Sequence, residues 1–187
     1  MHDLTPVTAL GGTTPRSDTI GGLTITENAG VALASVAARL GKEAACRKAL
    51  AKVLGAVPGP GKVQLNDPEA GFWMGPDQWM IGAPMATHEL LADQLKAQMG
   101  DSASVTEQSG GWVVFDVVGD AVEDFSERLC ALPIRQMASG DAQRTTIHHL
   151  GCFVIRRADD NHLRILGPRA SAGSLHHALV AAAGSVG

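Results

Sequence analysis

The sequence has no tyrosine, only 4% aromatic residues, three cysteines and a deficit of basic side chains. Without tyrosine, Trp73, Trp79 and Trp112 are the bulkiest rings available, and core packing is a commoner use of such rings than stacking on a planar ligand. Cys46, Cys130 and Cys152 are odd in number, lack C-x-x-C spacing and each lie in an apolar run. They exclude a disulfide framework and are expected as buried thiols in a reducing cytoplasm. No stretch approaches the roughly 20 apolar residues that cross a bilayer. Residues 1–20 have neither a basic start nor the roughly seven consecutive apolar residues of a signal sequence. The expectation is a cytoplasmic protein with no membrane partner. Lys and Arg total 15 against 19 Asp and Glu, a net charge of −4, which excludes general nucleic-acid binding because phosphates need clustered cations.

Catalytic signatures are also missing. There is no G-x-S-x-G elbow and no G-x-G-x-x-G turn. Gly55-Ala56-Val57-Pro58-Gly59-Pro60-Gly61-Lys62-Val63 approximates a phosphate loop, but its spacing is one residue too long. It also lacks the Ser or Thr after Lys62 and carries two prolines that delete amide donors. His148 and His149 with Cys152, and His176 with His177, are adjacent pairs. Neighbours on a strand point to opposite faces and neighbours on a helix diverge by about 100°, so neither pair chelates as an i, i+4 pair does. Asp159-Asp160 reads as a solvated turn. No catalytic, cofactor-binding or metal-ligating residue is assigned.

At 187 residues the chain is long enough to bury roughly 70% of its unfolded surface. Residues 1–22, rich in Thr, Gly and Pro, are expected as an extended or partner-bound arm. Val31–Leu40 reads as a strand. From Glu43 to Leu54 the apolar positions Cys46, Ala49, Leu50, Val53 and Leu54 recur with helical period. Val57–Gly61 ends that helix. Short strands at 71–74 and 78–82 flank a Gly-Pro-Asp turn. Thr87 is expected to cap a helix to Met99, followed by a strand at 102–107. Trp112–Val118, apolar on both faces except for Asp116, reads as a central strand. Asp120 and Glu123 form a capping-box pattern for a helix to Cys130. Strands at 143–149, 152–157 and 161–166 follow, the last two joined at Asp159-Asp160. Ser171 or Ser174 is expected to cap a final helix. The two halves, about 23–109 and 110–187, echo one another. The predicted class is α+β, a single domain of two ferredoxin-like (split β-α-β) halves sharing one core.

All five lysines precede residue 100, whereas every basic residue beyond it is arginine. Arginine favours bidentate and stacked contacts, so the C-terminal half is a candidate protein interface, with gene base composition as the alternative reading.

Three phrases carry a family resemblance. Trp73-Met74-Gly75-Pro76-Asp77-Gln78-Trp79-Met80-Ile81, Gly140-Asp141-Ala142-Gln143-Arg144-Thr145 with Ile155-Arg156, and Leu166-Gly167-Pro168-Arg169-Ala170-Ser171 with Ser174-Leu175 occur in this order across roughly residues 25–184. Together they resemble the gamma subunit of bacterial heterotetrameric sarcosine oxidase and, more distantly, folate-binding aminomethyltransferases. Ala170 stands where the family usually has Ser. The resemblance implies an aminomethyltransferase-like fold and a non-catalytic architectural chain joined to alpha, beta and delta subunits in the oxidative demethylation of sarcosine to glycine. FAD, FMN, NAD and tetrahydrofolate would be carried by those partners and none by this chain. It also marks Gly75, Pro76, Asp77, Trp79, Arg144, Thr145, Arg169 and Ser171 as interface or structural residues. The alternative is a free-standing folate-binding or aminomethyl-transfer protein, but such enzymes are about twice as long, and their acidic substrate-binding residue has no counterpart placed here. A folate-linked iron-sulfur assembly protein is a further relative. Its K-G-C-F-x-G-Q signature meets only Leu150-Gly151-Cys152-Phe153-Val154-Ile155-Arg156, without the Lys and the Gly-Gln.

Overall fold

The computed structural model describes residues 6–66, 69–157 and 161–186. In chain order the elements are β1 (Ser17–Ile20), β2 (Leu23–Glu27), β3 (Val31–Ala38), α1 (Glu43–Leu54), β4 (Val63–Asn66), β5 (Glu69–Gly75), β6 (Gln78–Pro84) and α2 (Leu91–Met99). There follow β7 (Ala103–Glu107), β8 (Trp112–Val118), α3 (Val122–Leu129), β9 (Ala142–Ile147), β10 (Leu150–Arg156), β11 (His162–Pro168) and α4 (Ala172–Ala183). The expected α+β class holds, as two antiparallel sheets and four helices. The hairpin turn expected at Asp159-Asp160 lies outside the described residues.

The chain divides into two compact units. A mid-chain unit comprises Gly30–Gly110 with Gly140–Ala142, and a split unit comprises Met1–Ala29, Gly111–Ser139 and Gln143–Gly187. In the mid-chain unit the sheet order is β4-β5-β6-β3-β7. The helical period seen at 43–54 becomes α1, and its Cys46, Leu50, Val53 and Leu54 pack with Leu91, Leu95 and Met99 of α2 on Ala34, Val36, Trp79 and Ile81. Burying one such Leu side chain stabilises by about 1.5–3 kcal/mol. Gly71 permits the closeness of helix and strand, since a Cβ there would lie 2.4 Å from Leu54 Cδ1 and 2.9 Å from Ile81 Cδ1.

The split unit has the order β1-β2-β8-β11-β10-β9. Leu23, Ile25, Val113, Phe115, Val117, Leu163 and Ile165 turn one face toward Phe125 of α3 and Leu175 and Leu179 of α4. Gly167 repeats the device seen at Gly71: a Cβ would lie 2.4 Å from Leu175 Cδ2 and 3.2 Å from Cys152 Sγ. Two clusters of buried apolar residues lie beneath the helices, one in each unit, while Leu33, Phe72 and Met80 of the mid-chain unit and Val114, Phe153, Ile155 and Leu166 of the split unit are buried outside both. Each pair of helices covers one face of its own sheet.

Several expectations need correction. Residues 17–20, assigned to an arm, are β1, and Leu23–Glu27 is β2, which pairs with β8 and so belongs to the split unit rather than to the first half. The segment before β1 is held by Glu27, whose buried carboxylate accepts the N–H groups of Leu10 (2.9 Å) and Arg16 (3.2 Å). Thr87 does not cap α2. Its hydroxyl donates back to the Pro84 carbonyl, and the helix begins at Leu91. Asp120 and Glu123 do not cap α3 either: Asp120 accepts from Asn161, and Glu123 accepts from Arg135 and Arg156. Ser171 stands at the N-cap position of α4 without a side-chain cap bond.

Candidate functional site

Gly75-Pro76-Asp77-Gln78 forms the β5–β6 turn, with Asp77 at φ +54°, a left-handed conformation that Asp tolerates better than most residues. Its carbonyl accepts the Ala38 N–H at 3.0 Å. Its carboxylate accepts Arg47 Nε (3.1 Å) and Nη2 (2.7 Å) from α1. The Arg47 guanidinium lies 5.2 Å from the centre of the Trp79 ring, and fully buried Trp79 donates its indole N–H to the Pro58 carbonyl at 3.0 Å. The phrase is therefore a clamp inside the mid-chain unit, tying the turn to α1 and to the glycine- and proline-rich loop. The carbonyl of Pro58 in that phosphate-loop-like segment is an acceptor for Trp79.

The other marked residues lie in the split unit. Arg144 on edge strand β9 is exposed, its guanidinium 5.9 Å from the Phe153 ring centre; Phe153 stands 5.7 Å from Trp112. These three form an arginine–aromatic row across the sheet, and Thr145 beside them is half-buried. Arg169, in a 3-10 turn after β11, donates Nη2 to the Val7 carbonyl at 3.1 Å and its backbone N–H to Gly111 at 3.0 Å. Arg169 thus anchors the N-terminal segment. The structure brings Gly75, Pro76, Asp77 and Trp79 together in one unit and leaves Arg144 on β9 and Arg169 in the turn after β11 in the other, with β10 between those two strands.

A polar cluster that sequence reasoning did not assemble is centred on Asp116 of β8. Oδ1 accepts His162 Nε2 (2.9 Å) and Arg164 Nε (2.8 Å), while Oδ2 accepts Arg164 Nη2 (2.9 Å) and Asn28 Nδ2 (2.7 Å). Burial opposes ionisation, but the hydrogen bonds from His162, Arg164 and Asn28 and the Arg164 charge outweigh it, holding this carboxyl well below the usual range. The signal was the one acidic residue in an otherwise apolar strand. Its partners come from β11 and from the turn after β2, which no local pattern links to it.

Asp18 of β1 is a second centre. Arg16 and His176 donate to it and hold its carboxyl below the usual range, beside an open cleft of about 400 Å³ lined by Leu10, Arg16, Gly173, His176, His177 and Val180. Both carboxylates are held ionised by donors, so neither is poised as a proton donor. Burial pushes the Cys152 thiol up to about 11 and raises that of Cys46, so neither is a ready thiolate. Among the described residues no three His, Cys, Asp or Glu side chains converge as metal ligands, and no helix is long and apolar enough to cross a membrane. His148 and His149, expected inside a strand, form the turn between β9 and β10 instead.

Neither the protein-family models nor the curated proteins compared with this sequence match it. Solved structures do. A chain of the heterotetrameric sarcosine oxidase from Corynebacterium sp. U-96, solved with pyrrole 2-carboxylate, superposes with a TM-score of 0.76 at 21% identity, over 90% of this chain and 87% of that chain. The glycine cleavage system aminomethyltransferase T from Bartonella henselae superposes at 0.65 and 15% identity, over 87% of this chain but 46% of that one. The protein shares the fold of both, and it spans under half the length of the aminomethyltransferase.

Proposed function

We propose that this protein is a non-catalytic, gamma-type structural subunit of a heterotetrameric sarcosine oxidase. The observation that carries the reading is the reciprocal coverage: the fold accounts for 90% of this chain and 87% of a sarcosine oxidase chain. The marked motifs support it, since Asp77, Trp79 and Arg169 spend their polar groups holding the chain together. On this reading each unit is a ferredoxin-like half, with β2 completing the split one. Alpha, beta and delta partners in the cytoplasm carry FAD, FMN, NAD and tetrahydrofolate, and this chain binds none of them. The complex demethylates sarcosine oxidatively to glycine and passes the one-carbon unit to tetrahydrofolate. The test is reconstitution: the other subunits expressed without this chain should fail to assemble, and adding it should restore both assembly and sarcosine oxidation. Full assembly and turnover in its absence would refute the role.

The likeness to an aminomethyltransferase favours one second reading, a free-standing folate-binding or aminomethyl-transfer protein. Titration of the isolated chain with tetrahydrofolate separates the two. Micromolar binding would support the second reading and sink the purely structural one.

A further inference from the structure

The split unit carries a feature that its own folding does not require. The β9–β10 turn, Ile147-His148-His149-Leu150, has both central residues at positive φ, +47° and +69°. A two-residue hairpin loop of this kind is ordinarily filled by Asn-Gly or Gly-Gly, because a side chain at both positions strains the backbone. Strain of that sort, kept on an exposed turn, marks positions where side-chain identity serves something other than the fold. Both imidazoles are exposed, with centroids 5.8 Å apart.

His148 stands on the rim of an open cleft of about 340 Å³. Its floor is Ala178, Ala181 and Ala182 of α4 with Leu129 and Ile147, and Arg128 and Ser185 complete the rim. Ala178, Ala181 and Ala182 recur at i, i+3 and i+4 with Ser185 just past the helix end, so α4 turns one stripe of small side chains toward the opening. Arg128 is exposed and, among the described residues, is the arginine whose side chain has no hydrogen bond, ion pair or ring contact; by contrast, Arg16, Arg47, Arg135 and Arg164 all hold carboxylates. Among the described residues no acidic side chain lines the cleft.

We propose that this cleft receives a partner subunit through a polypeptide segment presenting a carboxylate beside a compact apolar side chain. The carboxylate meets Arg128 and the His148-His149 turn, and the apolar group rests on the alanine stripe. The charge complement is a carboxylate because the rim supplies donors and no acceptor charge. A polypeptide fits better than a small metabolite because the cleft is shallow and open, whereas small-ligand sites enclose most of their ligand. The proposal rests on the architectural reading above and names one of its contact surfaces.

The test uses full-length chain and the subunits that co-purify with it. Arg128→Glu should weaken recapture of those subunits by about tenfold or more, and Ala181→Trp, which fills the floor, should do the same. Replacing His148-His149 with Asn-Gly should raise the melting temperature of the isolated chain, because strain is relieved, while weakening recapture several-fold. That opposite pair of shifts would not follow from a merely structural turn. A photo-crosslinker at Ser185 should mark a partner subunit at an acidic segment. If wild type recaptures its partners and both Arg128→Glu and Ala181→Trp do so equally well, the cleft proposal falls and the architectural reading stands. If wild type recaptures none, both fall. Crosslinking only to a second copy of this chain would overturn the assigned occupant.

Discussion

In the mid-chain unit the strand on the far side of β3 from β6 is β7, which the chain reaches directly from α2. In the split unit the matching place beside β8 is taken by β2, drawn from near the start of the sequence, while α4 leads to the C-terminal end. The two units therefore build sheets of the same internal order, β5-β6-β3-β7 and β10-β11-β8-β2, from segments arranged differently along the chain. The polar wiring follows this difference. The mid-chain unit is tied by exposed cations, Arg47 on Asp77 and Lys62 on Asp141, whereas the split unit gathers less exposed polar groups where its segments meet: Asn28 against Asp116 and Glu27 against residues 10 and 16, with Arg169 holding Val7 at the surface. Long-range connections of this kind stabilise most when the loops they close are long.

The largest effect is expected at Asp116. Asp116→Asn leaves Arg164 half-buried without its countercharge and should cost about 3–5 kcal/mol in chemical denaturation, an outcome that the Arg47–Asp77 pair should not match. Because the folded Asp116 carboxyl ionises below its unfolded value, its stabilisation is fully present above the ordinary Asp value of about 4 and is lost as pH falls below it. The wild-type melting temperature should therefore drop more steeply than that of Asp116→Asn between pH 5 and lower values. Parallel acid profiles would contradict the assignment.

Glu27→Ala removes the acceptor for two backbone amides and should cost about 2–3 kcal/mol. Amide exchange should accelerate at Leu10 and Arg16 while Leu50 and Trp79 in the mid-chain unit keep their protection. Gly167→Ala and Gly71→Ala probe the same close approach in each unit and should each cost about 1–3 kcal/mol. Gly71 should be the worse of the pair, because its Cβ would meet Ile81 at 2.9 Å as well as Leu54, whereas the second neighbour of Gly167, Cys152, lies at 3.2 Å. Arg47→Ala should cost about 1 kcal/mol or less, since half-exposed ion pairs contribute little.

How much was legible in the sequence follows the same division. The mid-chain unit was readable because its signals are local: the helical period gives α1 at Glu43–Leu54 and the Gly-Pro-Asp turn gives the β5–β6 hairpin. Strands β1, β2 and β4 went unread. Leu23-Thr24-Ile25-Thr26-Glu27 does alternate apolar and polar residues, but its reason to be a strand is β8, some 90 positions away. The capping residues misled because the Thr87 hydroxyl turns back to the Pro84 carbonyl, while Asp120 and Glu123 have partners at Asn161, Arg135 and Arg156 that outcompete their own helix N-terminus. The motif residues were found, but sequence could not say that Asp77 and Arg169 point into their own units. The Asp116 cluster and the His148-His149 turn depend on register and on left-handed backbone, neither of which a linear pattern displays.

Native mass spectrometry of the tagged protein, purified from its own cells grown on sarcosine or glycine betaine, tests the central claim most directly. The account predicts a stoichiometric complex with larger flavin-bearing subunits, joined through interfaces of more than about 1,000 Å². A lone monomer or homodimer, above all one carrying a folate-sized adduct, would contradict it.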